Sequence, residues 1–379
     1  MRTGSAGGIE QAGAGRRGDR VVVRPVISRG LTILLGSAAA VIILGGVQAA
    51  AWLIAPTFLA LVIVIALHPI QRWMWRHRWP GWAATLTLVV AVYGLLVGFA
   101  LIVVVSLARL GAELPTYAGN AQNVRAAVSD TLQRFGVWPQ QAAAMVGSLN
   151  VGSLRGAVDT VLSNLVSALW SVVLLAALLL FLSLEASGVG ARLAWMAADR
   201  SGAAAALGAF ATGTRKYLVV TTVFGLIVAA VDTVALALLA IPQAILWGVL
   251  AFVTNYVPNV GFFLGLIPPA LLALLVGGWP LLVWVVVIYC VVNFVVQSLI
   301  QPRVVGDAVG LSATVTFVSL VFWAWIVGPL GALLAVPLTL LTKTVLVDID
   351  PRARWAQAWL RAQPSGNDVT RRAGHQHPD

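Results

Sequence analysis

Long apolar stretches without a charged residue alternate along this chain with short segments that carry most of its charge. Asp, Glu, Lys and Arg are absent from residues 31–71, 79–108, 160–184, 233–302 and 308–342. A transmembrane helix needs roughly 18–25 largely uncharged apolar residues. The pattern predicts an all-α integral membrane protein rather than a soluble helical bundle, because a bundle in water could not bury so much apolar surface.

The first tracts predict single membrane helices, with a break at Pro56. The expected helices cover residues 31–53, 56–71, 83–107, 164–184 and 217–240. The connection PIQRWMWRHRWPGW, residues 69–82, combines arginines and tryptophans with no acid. Such a composition is typical of a cytoplasmic turn at the membrane interface, and it orients the neighbouring helices.

Two more polar segments separate these helices. Residues 109–163 carry apolar positions at helical spacing and predict extracytoplasmic amphipathic helices on the membrane surface, with a small soluble cap as the alternative. Residues 185–216 predict a cytoplasmic pair of amphipathic helices. Residues 31–348 then form one polytopic membrane domain.

The C-terminal half contains two tracts, 242–276 and 312–346, that are too long for one helix and short for two crossings. Pro and Gly interrupt each tract, in NYVPNVG (255–261) and in GPLG (328–331). We expect two hairpins or re-entrant helix pairs separated by a single span, 281–302. The units 217–276 and 281–346 would then form an inverted-topology repeat, as in many secondary transporters.

Backbone that leaves the helix inside a membrane must be buried in protein or line water. The two interrupted segments are therefore candidates for a substrate pathway, although two interfacial turns with packing glycines would give the same pattern. Asn293 and Gln297 are four residues apart and share a helix face. The predicted pathway residues are Asn255, Pro258, Asn259, Gly261, Asn293, Gln297, Gly328 and Gly331.

Asp232 is the only acid well inside a predicted span. A charge at the membrane centre costs roughly 2.5–3.5 kcal/mol on insertion scales, so such a residue usually has a task or a partner. Asp232 could carry a proton or a cation, or it could pair with Arg303 and stabilise the fold. Pro302 would end the preceding helix near the cytoplasm, and Arg303 and Asp307 could form an ion pair at this exit turn.

The composition further limits the classes of protein and of binding partner that this sequence allows. The chain is 60% hydrophobic and 10% charged, with a net charge of +11. Residues 1–30 hold six arginines and residues 349–379 hold five. Both are predicted to be disordered cytoplasmic tails that touch anionic lipid rather than nucleic acid. Cys290 is the only cysteine, so no intrachain disulfide or thiolate metal site is expected.

No nucleophile–base pair, metal-ligand spacing or phosphate-binding glycine loop stands out, so neither an enzyme nor a cofactor is expected. Three functions remain: a transporter for a small polar solute, a cation/proton antiporter using Asp232, and a membrane scaffold that binds a partner through its tails. Under each of these functions the chain would be a multi-pass protein of the inner (plasma) membrane with cytoplasmic termini. It could also form a homo-oligomer.

Three segments together resemble the autoinducer-2 exporter family of membrane proteins. They are IPQAILWGVLAFVTNYVPNVGFFLGLIPPALLALL (241–275), VVNFVVQSLIQPRVVGDAVGLS (291–312) and GPLGALLAVPL (328–338). The resemblance covers roughly residues 31–346. It implies about eight transmembrane segments and a role in transport, with family members linked to autoinducer-2 export or to sodium/proton exchange. Where the family commonly has His-Pro, this chain has Ser312 and Ala313.

Overall fold

The structure, a computed structural model, describes residues 29–117, 151–167, 169–258, 260–301 and 311–349, together with residues 119, 122, 126 and 130. Every regular element in these ranges is helical, which confirms the all-α class. In chain order the helices are α1 Arg29–Ala49, α2 Ala51–Arg76, α3 Gly81–Glu113, α4 Val151–Ser167, α5 Leu169–Asp199, α6 Ser201–Leu238, α7 Ala244–Thr254, α8 Gly261–Asn293, α9 Ala313–Val327, α10 Pro329–Leu333 and α11 Ala335–Lys343.

Short helices of other types follow three of these elements. A 3-10 helix, Leu114–Tyr117, continues α3. A π-helix, Phe294–Ile300, continues α8, and a second one, Thr344–Asp348, continues α11.

Several helices are long and apolar enough to cross a membrane. Within the described ranges there are four, in segments Ala51–Arg76, Gly81–Tyr117, Ser201–Leu238 and Gly261–Ile300, or up to five if a bent pair in α5 counts as one span. Three shorter apolar helices, Ile33–Ala49, Ala244–Thr254 and Ala313–Val327, accompany them. These helices indicate a multi-pass membrane protein, while the total of about eight segments stays a prediction.

The predicted break at Pro56 is wrong. Helix α1 ends at Ala49, and α2 runs from Ala51 to Arg76 with Pro56 and Pro69 inside it. Proline lacks the N–H that closes a helical hydrogen bond, but membrane helices tolerate this where side chains or neighbouring helices satisfy the freed backbone groups. The described residues 29–46 belong to a unit of their own, and all contacts considered below lie within the described residues from Val47 onward.

The segment 185–216 is helical as predicted, but its helices are continuous with the neighbouring spans. Helix α5 bends by 56° between Val172–Ala186 and Gly188–Asp199, close to the predicted boundary. Helix α6 runs unbroken from Ser201 to Leu238, so no new helix starts at residue 217. A change in polarity along a helix marks where its surroundings change, and the backbone can continue through that point.

The segment 109–163, predicted to be extracytoplasmic, is described only in part. Its second predicted amphipathic helix is α4, and Val158 on this helix is buried against α3, where its side chain faces Gly111. Apart from residues 119, 122, 126 and 130, residues 118–150 lie outside the described ranges.

The C-terminal half contains two places where the chain folds back on itself. The first is residues 255–260 between α7 and α8, and the second is residues 328–334 between α9 and α11. Helix α8 is kinked at Gly278, whose φ of 68° and ψ of −159° a residue with a side chain rarely adopts. The kink separates the first helix pair from the predicted span 281–302, as expected.

Two buried clusters hold these helices together. One joins α3, α4, α6, α7 and α8 around Leu236, Trp247 and Tyr289. The other joins α2, α6 and α11 around Phe58, Tyr217 and Leu338. Helix α6 contributes to both, so it is the common wall against which the two fold-backs pack.

Candidate functional site

The first fold-back brings α7 and α8 unusually close together. A Cβ atom on Gly261 would overlap the carbonyl oxygen of Thr254, and one on Gly265 would lie 2.9 Å from Thr254 Oγ1. Glycine is therefore required here for close approach rather than for an unusual φ. The predicted pathway residue Gly261 serves the tight return of the chain.

Helix α6 anchors this turn through polar contacts. Tyr217 donates its hydroxyl hydrogen to the carbonyl of Tyr256 at 3.0 Å, and Asn255 Nδ2 donates to the carbonyl of Thr221 at 3.1 Å. A Cβ on Gly225 would lie 2.9 Å from Asn255 Nδ2, so this glycine provides room for the amide. The described residues of the turn are half-buried, and these bonds hold its non-helical backbone against α6.

A chain of side-chain amides connects the turn to the end of α8. Gln297 Nε2 donates to Asn255 Oδ1 at 2.9 Å and to Asn293 Oδ1 at 2.7 Å. Asn293 Nδ2 in turn donates to the carbonyl of Tyr289 at 2.9 Å. The prediction that Asn293 and Gln297 share a face is confirmed by the bond between them, and Gln297 uses both of its amide hydrogens within the protein.

The predicted span 281–302 is not one plain helix, because it widens into a π-helix directly after Asn293. In an α-helix the Tyr289 carbonyl accepts from the backbone N–H of residue 293. The Asn293 side chain offers that carbonyl a second donor at the point where the helix changes. π-Helical turns of this kind occur frequently at functional sites.

A cavity of about 110 Å³ lies between α6, α7 and α8. Its wall combines the amide chain with hydroxyl, carboxylate and apolar groups. The lining residues are Val228, Asp232, Ala251, Thr254, Asn255, Val257, Pro258, Gly261, Phe262, Gly265, Tyr289, Asn293 and Gln297. Five predicted pathway residues and the predicted coupling residue Asp232 therefore meet at one place.

Asp232 is the most unusual group in this wall. It is completely buried, and neither carboxylate oxygen has a hydrogen-bond partner among the described residues. The hydroxyl of Tyr289 is also buried without a partner in this part of the chain. Among the described residues, no Lys, Arg or His lines the cavity. Because an isolated buried charge is very costly, this carboxyl needs a proton, a cation or a polar ligand beside it.

An open groove of about 570 Å³ lies next to the cavity and shares Phe262, Asn293 and Gln297 with it. Cys290 is exposed in the groove wall. The three shared residues thus separate the enclosed space from a wider opening.

The second fold-back does not contribute to this cavity. Gly328, with φ at 80°, ends α9, and a Cβ on Gly331 would overlap the carbonyl oxygen of Trp323. Trp323 Nε1 donates to Thr339 Oγ1 at 3.1 Å across the same turn. Gly328 and Gly331 serve the geometry of this turn, and their predicted place on a transport pathway stays a prediction.

Several predicted residues lie outside the described ranges. They are Asn259, Pro302, Arg303 and Asp307. The predicted exit turn and a pairing of Asp232 with Arg303 therefore stay predictions.

Tyr289 is the main site residue that the sequence analysis missed. It lies four residues before Asn293, on the face that Asn293 and Gln297 extend, so helical spacing could have identified it. The residues on either side of Tyr289 in the sequence are apolar, so it resembled a tyrosine that only packs in the core.

The described residues contain no group of three or more His, Cys, Asp or Glu side chains that could hold a metal ion. Asp232 is the single acid that the described residues contribute to the cavity wall, which also carries the Tyr289 hydroxyl and the side-chain amides. Such a set could accept a proton, a monovalent cation or the hydroxyl groups of a small solute.

Comparison of the sequence with known proteins places the chain in a family. The sequence model of the AI-2E family transporter matches residues 32–349. The chain belongs to the AI-2E family of transporters. The cavity at the first fold-back is accordingly a feature of a transporter family member, and not of a member of an enzyme family.

Relatives of this AI-2E family member support the same assignment. The AI-2 transport protein TqsA of Escherichia coli (strain K12) is 33% identical over 333 residues, which cover 86% of this chain and 94% of TqsA. A Haemophilus influenzae protein, named only provisionally as a transport protein, is 30% identical over 85% of this chain and 94% of its own length. Escherichia coli YhhT, named in the same provisional way, is 30% identical over 83% of this chain and 90% of its own length.

Proposed function

We propose that this membrane transporter exports a small polar solute of the autoinducer-2 type through the cavity between α6, α7 and α8. The observation that supports the proposal is the cavity itself, where a carboxyl and a hydroxyl without partners among the described residues share a wall with side-chain amides. Specific small-molecule sites commonly combine apolar walls with a few placed polar groups.

The size of the cavity limits which solutes can bind in it. A volume of about 110 Å³ holds a few water-sized groups, so it suits a compact hydroxylated molecule and excludes a lipid chain or a peptide. The name of TqsA refers to AI-2 transport, which is consistent with a solute of this size.

Efflux from proteoliposomes loaded with a panel of small hydroxylated solutes tests the proposal. We expect Gln297→Leu and Asn293→Leu to reduce efflux, because they remove polar groups from the cavity wall. Gln301→Leu is the matched control, since Gln301 follows the same π-helix and is not part of that wall. Equal efflux from Gln297→Leu and wild type would contradict the proposal.

A cation/proton antiporter is the second candidate, and the burial of Asp232 favours it. A completely buried carboxyl without a partner among the described residues is costly as a lone charge, so it would hold either a proton or a cation in exchange. Under this function Asp232→Asn abolishes ion-driven proton flux in proteoliposomes, while Asp199→Asn on the exposed end of α5 leaves it intact. Solute efflux that survives Asp232→Asn would favour the exporter.

We further propose that the protein lies in the cytoplasmic membrane with both termini inside. The basic connection at residues 72–78 supports this orientation. A cysteine introduced at His77 in a Cys290→Ala background should react with an impermeant thiol reagent only after the cells are opened. Contact of the basic tails with anionic lipid and a homo-oligomeric state stay predictions.

A further inference from the structure

A proline in α2 leaves one backbone carbonyl without its usual donor. Pro69 has no N–H, so the carbonyl of Ile65, four residues earlier, cannot complete a helical hydrogen bond. Arg215 on α6 replaces the missing donor, because its Nε donates to Ile65 O at 3.2 Å. This bond uses one N–H of the guanidinium and fixes the half-buried Arg215 side chain against α2.

The face of α2 that receives Arg215 is itself basic. Ile65, His68 and Arg72 follow one another at spacings of three and four residues, so they lie along one face of the helix. Arg72 and Arg215 are both close enough to act electrostatically on the His68 ring. The bond to Ile65 places Arg215 against the α2 face that carries His68 and Arg72, at the junction of α2 and α6.

No acidic side chain neutralises this cluster in the part of the chain that the structure describes. The ion pairs recorded there join Arg192 to Glu185, Arg200 to Asp199 and Lys343 to Asp348. Like charges in proximity repel one another, and a shared counter-anion relieves that repulsion. Arg215 keeps its two terminal nitrogens for such an anion, and a guanidinium matches the oxygen geometry of a phosphate.

The position of the cluster along α2 indicates where the anion comes from. Trp73 near the end of α2 and Trp82 at the start of α3 are 59% and 68% accessible. Tryptophans of this kind lie at the level of lipid headgroups. Arg72 is exposed one turn before the end of α2, so the cluster faces the same level.

We propose that His68, Arg72 and Arg215 form a binding site for a phosphate group, and that an anionic phospholipid headgroup supplies it. The site is separate from the cavity at the first fold-back and does not depend on what the protein transports. It would bind one headgroup between α2 and α6 and thereby hold the two helices together.

Thermal unfolding of the purified full-length protein in detergent tests this site. The protein is titrated with short-chain phosphatidylglycerol, with short-chain phosphatidylcholine or with inorganic phosphate. We expect phosphatidylglycerol to raise the unfolding temperature most. Stabilisation by inorganic phosphate at the same concentration would also support a phosphate site and would assign it to free phosphate. Equal stabilisation by both lipids, with none by phosphate, would overturn the proposal.

Matched variants separate a specific site from general surface charge. Arg72→Gln should weaken phosphatidylglycerol binding about tenfold, because it removes a charge-assisted hydrogen bond. Arg76→Gln removes the same charge one turn further along, and it should leave binding almost unchanged. Both arginines are exposed and have no ion pair among the described residues, so neither change endangers folding. Equal loss in the two variants would show diffuse attraction and would refute the site.

Discussion

Replacing Gln297 with leucine tests whether the amide chain holds the end of α8 to the first fold-back. The change removes both donor bonds of Gln297, to Asn255 Oδ1 at 2.9 Å and to Asn293 Oδ1 at 2.7 Å. Leucine has a similar volume, so the loss is mainly one of hydrogen bonding. We expect the folded state to lose stability and the π-helical segment to loosen from α7.

The magnitude follows from the number of bonds and their surroundings. Hydrogen bonds between membrane helices average about 0.6 kcal/mol and reach about 1.7 kcal/mol. Two bonds therefore predict a loss of about 1–3 kcal/mol in the free energy of unfolding. Gln297 is only half-buried, so water can reach Asn255 Oδ1 and Asn293 Oδ1 once they have lost their donor. This favours the lower part of the range.

Unfolding of the purified protein in mixed micelles by increasing denaturing detergent measures this loss. The double variant Gln297→Leu with Asn255→Ala completes a mutant cycle and isolates the bond between the two side chains. Gln301→Leu is the control, because no side-chain hydrogen bond of Gln301 is recorded in the described chain. An unchanged stability, or a coupling energy near zero, would refute the structural role of the amide chain.

Two further changes test the packing of α6. A Cβ on Gly248 would overlap Thr233 Oγ1, so Gly248→Ala should lower the unfolding temperature and reduce the free energy of unfolding by about 1–3 kcal/mol. Gly208 has open space around it, so Gly208→Ala should cause no measurable loss of stability. Equal stability of the two variants would contradict the close approach of α6 and α7. Pro69→Ala restores the missing backbone donor in α2, so Arg215→Gln should destabilise the Pro69→Ala protein less than the wild type, as measured by the same detergent titration. Additive effects would show that Arg215 does not replace that donor.

The predicted helix boundaries were most accurate at glycine and least accurate at proline and at the charged end of the segment 185–216. Gly278 interrupts α8 where the sequence suggested a break, because only glycine readily adopts its positive φ. Pro56 and Pro69 interrupt nothing. Whether a proline breaks a membrane helix depends on which distant group satisfies the freed carbonyl, and sequence spacing does not show that group.

The candidate site was predictable in its parts but not in its assembly. The shared face of Asn293 and Gln297 follows from a spacing of four residues. The bond from Gln297 to Asn255 depends on how α7 and α8 return against α6, which involves residues more than 30 positions apart. Similar make-up made the two fold-backs look equivalent, yet only the first one lines the cavity.

The sequence alone determined the solvent, the helical class and the family, because each depends on composition and local order. Charge-free tracts of membrane length are typical of membrane helices and of few other structures. The Pro- and Gly-interrupted segments, taken together, are characteristic of the family. Only the tertiary structure decided that Asp232 and Tyr289 face one cavity and that Arg215 completes the backbone of α2. These are contacts between helices, and their energies depend on packing geometry that the order of residues along one helix does not contain.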